Sequence, residues 1–320
     1  MTELQRYLAE EVAEDHVDGI ITRREAVRRL GLLGVTGSAA VAMLGAAAST
    51  AAAKRGGGGP GRARGGGAGR ARGAGRGNVV EWAPAPTEAI TFAGPRGTLM
   101  AAWAPAVGRA HGAVLVIHEN RGLNDHIRNV AGRFAASGFS ALALDLLSEE
   151  GGTAAFPGEG EVAAALSAAP PARFDEDMQA AVTELRRRAP RRRTNAIGFC
   201  FGGGMIWRLL AAGDKRLDAA APFYGPFPTG GDLSGARADV LGVYAGLDAR
   251  VNATREAARA ALEAAGLDHQ IVTFTQADHA FFNDTGARFN APAAEEAWHR
   301  VLHLFGGHGH GHGGGRRHGG

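Results

Sequence analysis

The chain has 320 residues, 45% of them hydrophobic, with 35 basic and 32 acidic side chains, a formal charge of +3 and one cysteine. A lone cysteine excludes a disulfide framework. The basic excess sits in residues 54–77, which carry seven basic and no acidic residue, so the high isoelectric point gives no reason to expect nucleic acid at an active face.

Residues 1–53 read as a targeting segment. Thr22-Arg23-Arg24-Glu25-Ala26-Val27-Arg28 has twin-arginine character, a weakly apolar Gly- and Ala-rich stretch covers 31–53, and Ala51-Ala52-Ala53 offers a cleavage site. The expectation is export by the twin-arginine machinery, to the periplasm, cell wall or medium. An amphipathic helix over 23–33 in a cytoplasmic protein and an uncleaved anchor are the alternatives. Glycine and alanine make 31–53 a poor permanent membrane span. Residues 54–87 form a Gly/Arg-rich linker that cannot build a core and is expected to be disordered.

Residues 88–305 are long enough for one α/β domain with a large core. Strand-like runs fall at 89–92, 99–103, 113–117, 140–144, 194–199, 219–224, 240–244 and 270–275, and helical patterns at 127–137, 174–188, 254–265 and 293–304. From the third strand onward the two kinds alternate. That predicts a mostly parallel central sheet with helices on both faces and an antiparallel start, the α/β-hydrolase arrangement. The Gly-, Ala- and Pro-rich stretch 148–171 reads as a loop, either over the cleft or idle on the surface. The tail, 306–320, is rich in Gly and His and is expected to be disordered, with weak capacity for a transition metal.

Chemistry gathers where strands end. Gly198-Phe199-Cys200-Phe201-Gly202-Gly203 follows a strand and precedes the helical spacing of Met205, Ile206, Leu209 and Leu210, which makes it a nucleophile elbow. A sulfur at a helix amino terminus is drawn toward the thiolate by unpaired amides and the helix dipole. The competing reading of Cys200 is a small buried core residue. A reactive thiol needs a base and a group to orient it, and in this fold they follow in the order nucleophile, acid, histidine. Asp248, in the loop after the 240–244 strand, and His279, after the 270–275 strand, fit that order. Asp278 and Asp284 are rival acids, but a sequence neighbour projects away from the imidazole it adjoins. After the strand 113–117 comes His118-Glu119-Asn120-Arg121-Gly122-Leu123-Asn124. The oxyanion hole of the fold takes one backbone N–H from the residue after the nucleophile, here Phe201, and one from this loop, with Asn120 the candidate. Glu119 would stand beside the thiol and exchange a proton with it. His118 and Arg121 also admit structural roles, under the loop and against a surface acid.

These four separated motifs, 117–124, 198–203, 246–251 and 278–285, occur in the order found in the dienelactone hydrolases, and over residues 88–305 the chain resembles that family. The resemblance implies a Cys200–His279–Asp248 triad with Glu119 as a fourth participant, hydrolysis of a lactone or activated ester, and no metal or other cofactor. Familiar members carry an arginine four residues after the histidine to grip a substrate carboxylate; this chain has Asn283 there. Neutral esters or lactones are therefore expected, with Arg121 or Arg250 as substitute cations if the substrate is anionic. The other functional class the sequence admits is a noncatalytic envelope protein that binds anionic polymers or metal through the basic linker and histidine tail.

Overall fold

A computed structural model of the chain describes residues 1–56 and 83–307, in two compact units. The amino-terminal unit contains α1 (Glu3–Val17), α2 (Arg23–Leu32) and α3 (Gly37–Gly56), packed on one another. Thr2 and Gln5 cap α1 reciprocally and the Thr22 hydroxyl caps α2, so each helix starts where a side-chain oxygen can accept an otherwise orphaned N–H. The amphipathic alternative over 23–33 thus coincides with a real helix. α3 runs on to Gly56, into the stretch read as linker. Residues 57–82 of that linker and the tail from 308 lie outside the described residues, while the linker's end, 83–87, is described, with Ala85 N–H donating to the Gly132 carbonyl at 3.0 Å. Among the described residues no helix is long and apolar enough to cross a membrane.

The second unit is built on an eight-stranded sheet in the order β1-β2-β4-β3-β5-β6-β7-β8. The strands are β1 (Glu88–Gly94), β2 (Gly97–Ala104), β3 (Gly112–Ile117), β4 (Phe139–Asp145), β5 (Thr194–Phe199), β6 (Ala219–Phe223), β7 (Asp239–Ala245) and β8 (His269–Phe274). β1 and β2 pair antiparallel, β2 meets β4 antiparallel, and every pairing from β4 to β8 is parallel. Every residue of β3, β4 and β5 is buried, which requires cover on both faces and explains why β3 reads as an unbroken apolar run and β4 and β5 as mainly apolar ones, with Ser140, Asp145, Thr194 and Asn195 buried among them. The helices α4 (Asp125–Ala136), α6 (Pro171–Arg188) and α7 (Phe201–Ala211) provide it, α10 (Ala291–Phe305) packs on β6 and β7, and α8 (Ala249–Asn252) and α9 (Arg255–Ala264) follow β7.

One expectation is corrected. The stretch 148–171 is not a loop throughout: after two 3₁₀ turns it forms α5 (Glu159–Ala168), with Val162, Ala163 and Leu166 buried. Its alanines mark no face in the sequence, so the helical period is hidden, while Pro170 and Pro171 at its end suggested irregular chain. Asp145 fixes the start of this stretch. Its Oδ1 accepts from Thr153 Oγ1 at 2.9 Å and its Oδ2 from the Thr153 amide at 2.7 Å. Thr153 Oγ1 in turn accepts the Leu123 N–H at 2.9 Å, tying the stretch to the loop after β3.

Candidate active site

Cys200 sits between β5 and α7 at φ 56° and ψ −119°, a conformation that L side chains avoid. Such a residue costs about 1–3 kcal/mol and persists only where its surroundings over-determine it. They do here: the Cys200 N–H donates to the Phe223 carbonyl at 3.0 Å, and the Cys200 carbonyl accepts from Gly204 N–H at 3.2 Å. Two glycines let the backbone come this close. A Cβ on Gly198 would lie 2.1 Å from the Gly202 carbonyl oxygen, and one on Gly202 would lie 2.5 Å from the carbonyl oxygens of both Ile117 and His118. The elbow therefore packs directly against the end of β3, and the sulfur heads an 11-residue helix.

Parallel register brings the other motifs to the same edge. Gly246 N–H donates to Phe274 O at 2.8 Å and Leu247 N–H to Ala277 O at 3.0 Å, so the loops after β7 and β8 are joined by their backbones. That joint carries Asp248 to His279: Asp248 Oδ2 accepts from His279 Nδ1 at 2.6 Å, both residues being buried. Asp248 Oδ1 accepts the Val251 N–H at 3.0 Å, which caps α8 and locks the carboxylate. Burial would raise the Asp248 carboxyl, but the charge and hydrogen bond of His279, aided by Arg250 and the Val251 amide, bring it down to about 2. Burial would likewise lower the imidazole. The charges of Asp248 and the Cys200 thiolate, with hydrogen bonds to both, outweigh it and carry His279 well above its ordinary value. Cys200 Sγ lies within 4.8 Å of a ring nitrogen of His279. Cys200, His279 and Asp248 thus stand in contact order.

The rival acids are used elsewhere. Asp278 Oδ1 accepts the backbone N–H of His279 at 2.7 Å and does not meet the ring. Asp284 binds His126 Nδ1 at 3.1 Å and the Arg133 guanidinium, anchoring the histidine loop to α4.

The loop after β3 divides its labour. His118 is fully buried; desolvation holds its imidazole low against the pull of Asp145 and Glu119. Its Nδ1–H donates to the Glu119 carbonyl at 2.6 Å and its Nε2 accepts the Leu146 N–H at 3.2 Å, so it braces the loop, the structural reading of this residue. Arg121 pairs with Glu159 of α5 at 3.2 Å, also as the structural reading had it. Asn120 lies at the turn after Glu119 and Phe201 begins α7 directly after the sulfur. Glu119 is buried; its Oε2 accepts Asn283 Nδ2 at 2.7 Å, while Oε1 has no hydrogen-bond partner among the described residues. Asn283 spends its other end on Thr285, accepting from N at 3.0 Å and from Oγ1 at 2.7 Å.

Sequence reasoning missed Tyr224. It follows β6 at φ 33°, is fully buried, and sets its ring edge-on to His279 at 5.3 Å. An aromatic residue closing a strand-like run directly before Gly225-Pro226 was the available signal.

The chain matches the dienelactone hydrolase family over residues 100–309. A protein provisionally named carboxymethylenebutenolidase from Escherichia coli O157:H7 is 32% identical over 208 residues, 60% of this chain and 75% of that one. Another of that provisional name, from Methylorubrum extorquens, is 30% identical over 218 residues, 63% of this chain and 74% of the other. Among solved structures, a provisionally named dienelactone hydrolase from Klebsiella pneumoniae subsp. pneumoniae superposes with a TM-score of 0.59 at 28% identity, covering 68% of this chain and 98% of its own.

Proposed function

This chain belongs to the dienelactone hydrolase family, and from that premise we propose that it cleaves neutral lactones or activated esters through Cys200, His279 and Asp248, outside the cytoplasm. The carboxylic ester hydrolase activity comes with the family; the triad, the substrate charge and the location are our reading. One observation carries the mechanism: a buried imidazole held by a carboxylate at 2.6 Å beside a strained cysteine at a helix start.

In this mechanism His279 accepts the Cys200 proton, and the thiolate adds to the substrate carbonyl. The resulting oxyanion meets the N–H groups of Phe201 and Asn120. Collapse breaks the ester C–O bond, His279 returns the proton to the leaving alkoxide, and an acyl thioester remains on Cys200. In a lactone the alcohol stays tethered to that acyl group. Water, deprotonated by His279, then adds to the thioester and releases the acid and the thiolate. Asp248 stabilises the imidazolium formed in both halves and fixes its tautomer. Glu119, with Oε1 unengaged, offers the Cys200 thiol a hydrogen-bond acceptor in the resting enzyme, before His279 takes the proton.

Asn283 supports the neutral substrate. Its amide is committed to Glu119 and Thr285, so a carboxylate brought to this position would find a neutral side chain beside a buried acid. A hydrolysis panel of lactones, thioesters and aryl esters, each as acid and methyl ester, tests both points. Turnover of neutral members that vanishes in Cys200→Ala supports the reading; an equally active Ala variant defeats it. Export is supported by Arg23-Arg24 ahead of the apolar stretch and by a fold that needs no disulfide. Replacing both arginines with lysine should leave the protein in the cytoplasm; unchanged export would remove the twin-arginine route, and wild-type protein found in the cytoplasm would return it to the cytoplasmic alternative.

A further inference from the structure

All groups in the proposed reaction lie at the carboxyl ends of the strands. At the opposite ends, about 20 Å away along β7, the starts of β7 and β8 and the facing parts of α9 and α10 wall a cavity of about 620 Å³. Three of its lining residues are histidines: His269 on β8, and His299 and His303 on α10. We propose that this cavity is a second site, which binds a divalent transition-metal ion of the imidazole-preferring kind, such as zinc, through these three side chains.

Three features point to a metal. First, His269 Nδ1 lies 2.8 Å from the Leu267 carbonyl, and a carbonyl only accepts, so the proton is on Nδ1 and Nε2 keeps its lone pair. A ligating histidine is commonly set this way, its other nitrogen donating to backbone. Second, His299 and His303 stand four residues apart on one helix, so their rings share a face on successive turns. Both are exposed, so their rings can change rotamer at the surface, and binding requires such a change because the three rings are not gathered within 4.8 Å of one another. Third, Glu263 and Asp268 line the same cavity and favour a cation, whereas the guanidinium of Arg300 is engaged by Glu296 at 2.7 Å and by Gln270 at 3.3 Å.

The test is zinc titration by calorimetry of the full-length protein at neutral pH, with ester hydrolysis followed in parallel. Wild type should bind zinc with Kd on the order of 10 μM or tighter. His299→Ala with His303→Ala should weaken binding at least tenfold while hydrolysis stays unchanged, because neither residue is near the proposed triad. His269→Ala should weaken it similarly. Zinc affinity that survives the α10 double substitution overturns the site, since binding would then lie elsewhere, at the histidine-rich tail or at Cys200 and His279, and so does the absence of binding up to about 1 mM zinc. The readout is binding, so the outcome is independent of whether Cys200 is the nucleophile.

Discussion

Asp248→Asn isolates the carboxylate proposed to orient His279 without removing its structural bond. Asparagine keeps an oxygen for the Val251 N–H, now accepted at 3.0 Å, so α8 stays capped. What is lost is the charge 2.6 Å from His279 Nδ1. With charge centres about 4 Å apart and an effective dielectric near 20, that charge stabilises the imidazolium by about 4 kcal/mol. At roughly 1.4 kcal/mol per decade, this corresponds to nearly three orders of magnitude in rate. The amide can also donate to Nδ1, which moves the ring proton to Nε2 and blocks proton uptake from the thiol. We expect kcat/KM to fall about 10²- to 10⁴-fold, read on an activated ester. Because Asp248 helps raise His279, iodoacetamide labelling of Cys200 should also require higher pH in the variant. Asp278→Asn and Asp284→Asn should each lose less than about tenfold. Asp248→Asn within tenfold of wild type, with a greater loss at Asp278, would refute the assignment.

Acid should unfold the protein through its depressed carboxylates. Asp248 and Asp284 both titrate near 2, below the usual 4 or so of an unfolded aspartate, so their stabilisation is complete above about pH 4 and is lost as pH falls toward 2. Urea titrations should show that loss, and a shallower one in Asp284→Asn. Asp177 works in the opposite sense: burial, opposed by Arg96, pushes it up to about 6, so its contribution weakens as pH rises from about 4 to about 6. Stability in Asp177→Asn should not weaken over that interval. Gly202→Ala forces a Cβ to 2.5 Å from two backbone oxygens; an overpacking cost of about 1–3 kcal/mol lowers Tm by several degrees, and the displaced elbow should lose most hydrolysis. A variant as stable and active as wild type would show that β3 yields freely. Asn283→Arg should pair with Glu119 and move preference toward carboxylated substrates by about one order of magnitude in kcat/KM, and no change would remove Asn283 from substrate selection.

The sheet was legible because its central strands are buried on both faces and read as mainly apolar runs, as 113–117 does without a break. The elbow was legible because Gly198 and Gly202 are demanded by contacts that any other side chain would break. The adjacency of Asp248 and His279 was not written in either loop. It arises from backbone bonds at Gly246 and Leu247, between strands that are neighbours only in space. α5 was hidden because alanine fits buried and exposed faces alike. The fates of Asn283 and Arg121 also depended on partners far away in the chain, Glu119 and Glu159. Asp284 lost its claim as the acid for the same reason, since His126 and Arg133 of α4 hold it.

The central claim is that Cys200 carries the acyl group, and intact-mass spectrometry with peptide mapping tests it most directly. Mixing the enzyme with a slowly deacylating aryl ester and quenching in acid should give a mass increase equal to the acyl group, mapped to the peptide containing Cys200 and released by hydroxylamine at neutral pH. His279→Ala should greatly slow its appearance and Cys200→Ala should abolish it. Turnover with an acyl group on another residue, or an adduct that persists in Cys200→Ala, would contradict the account.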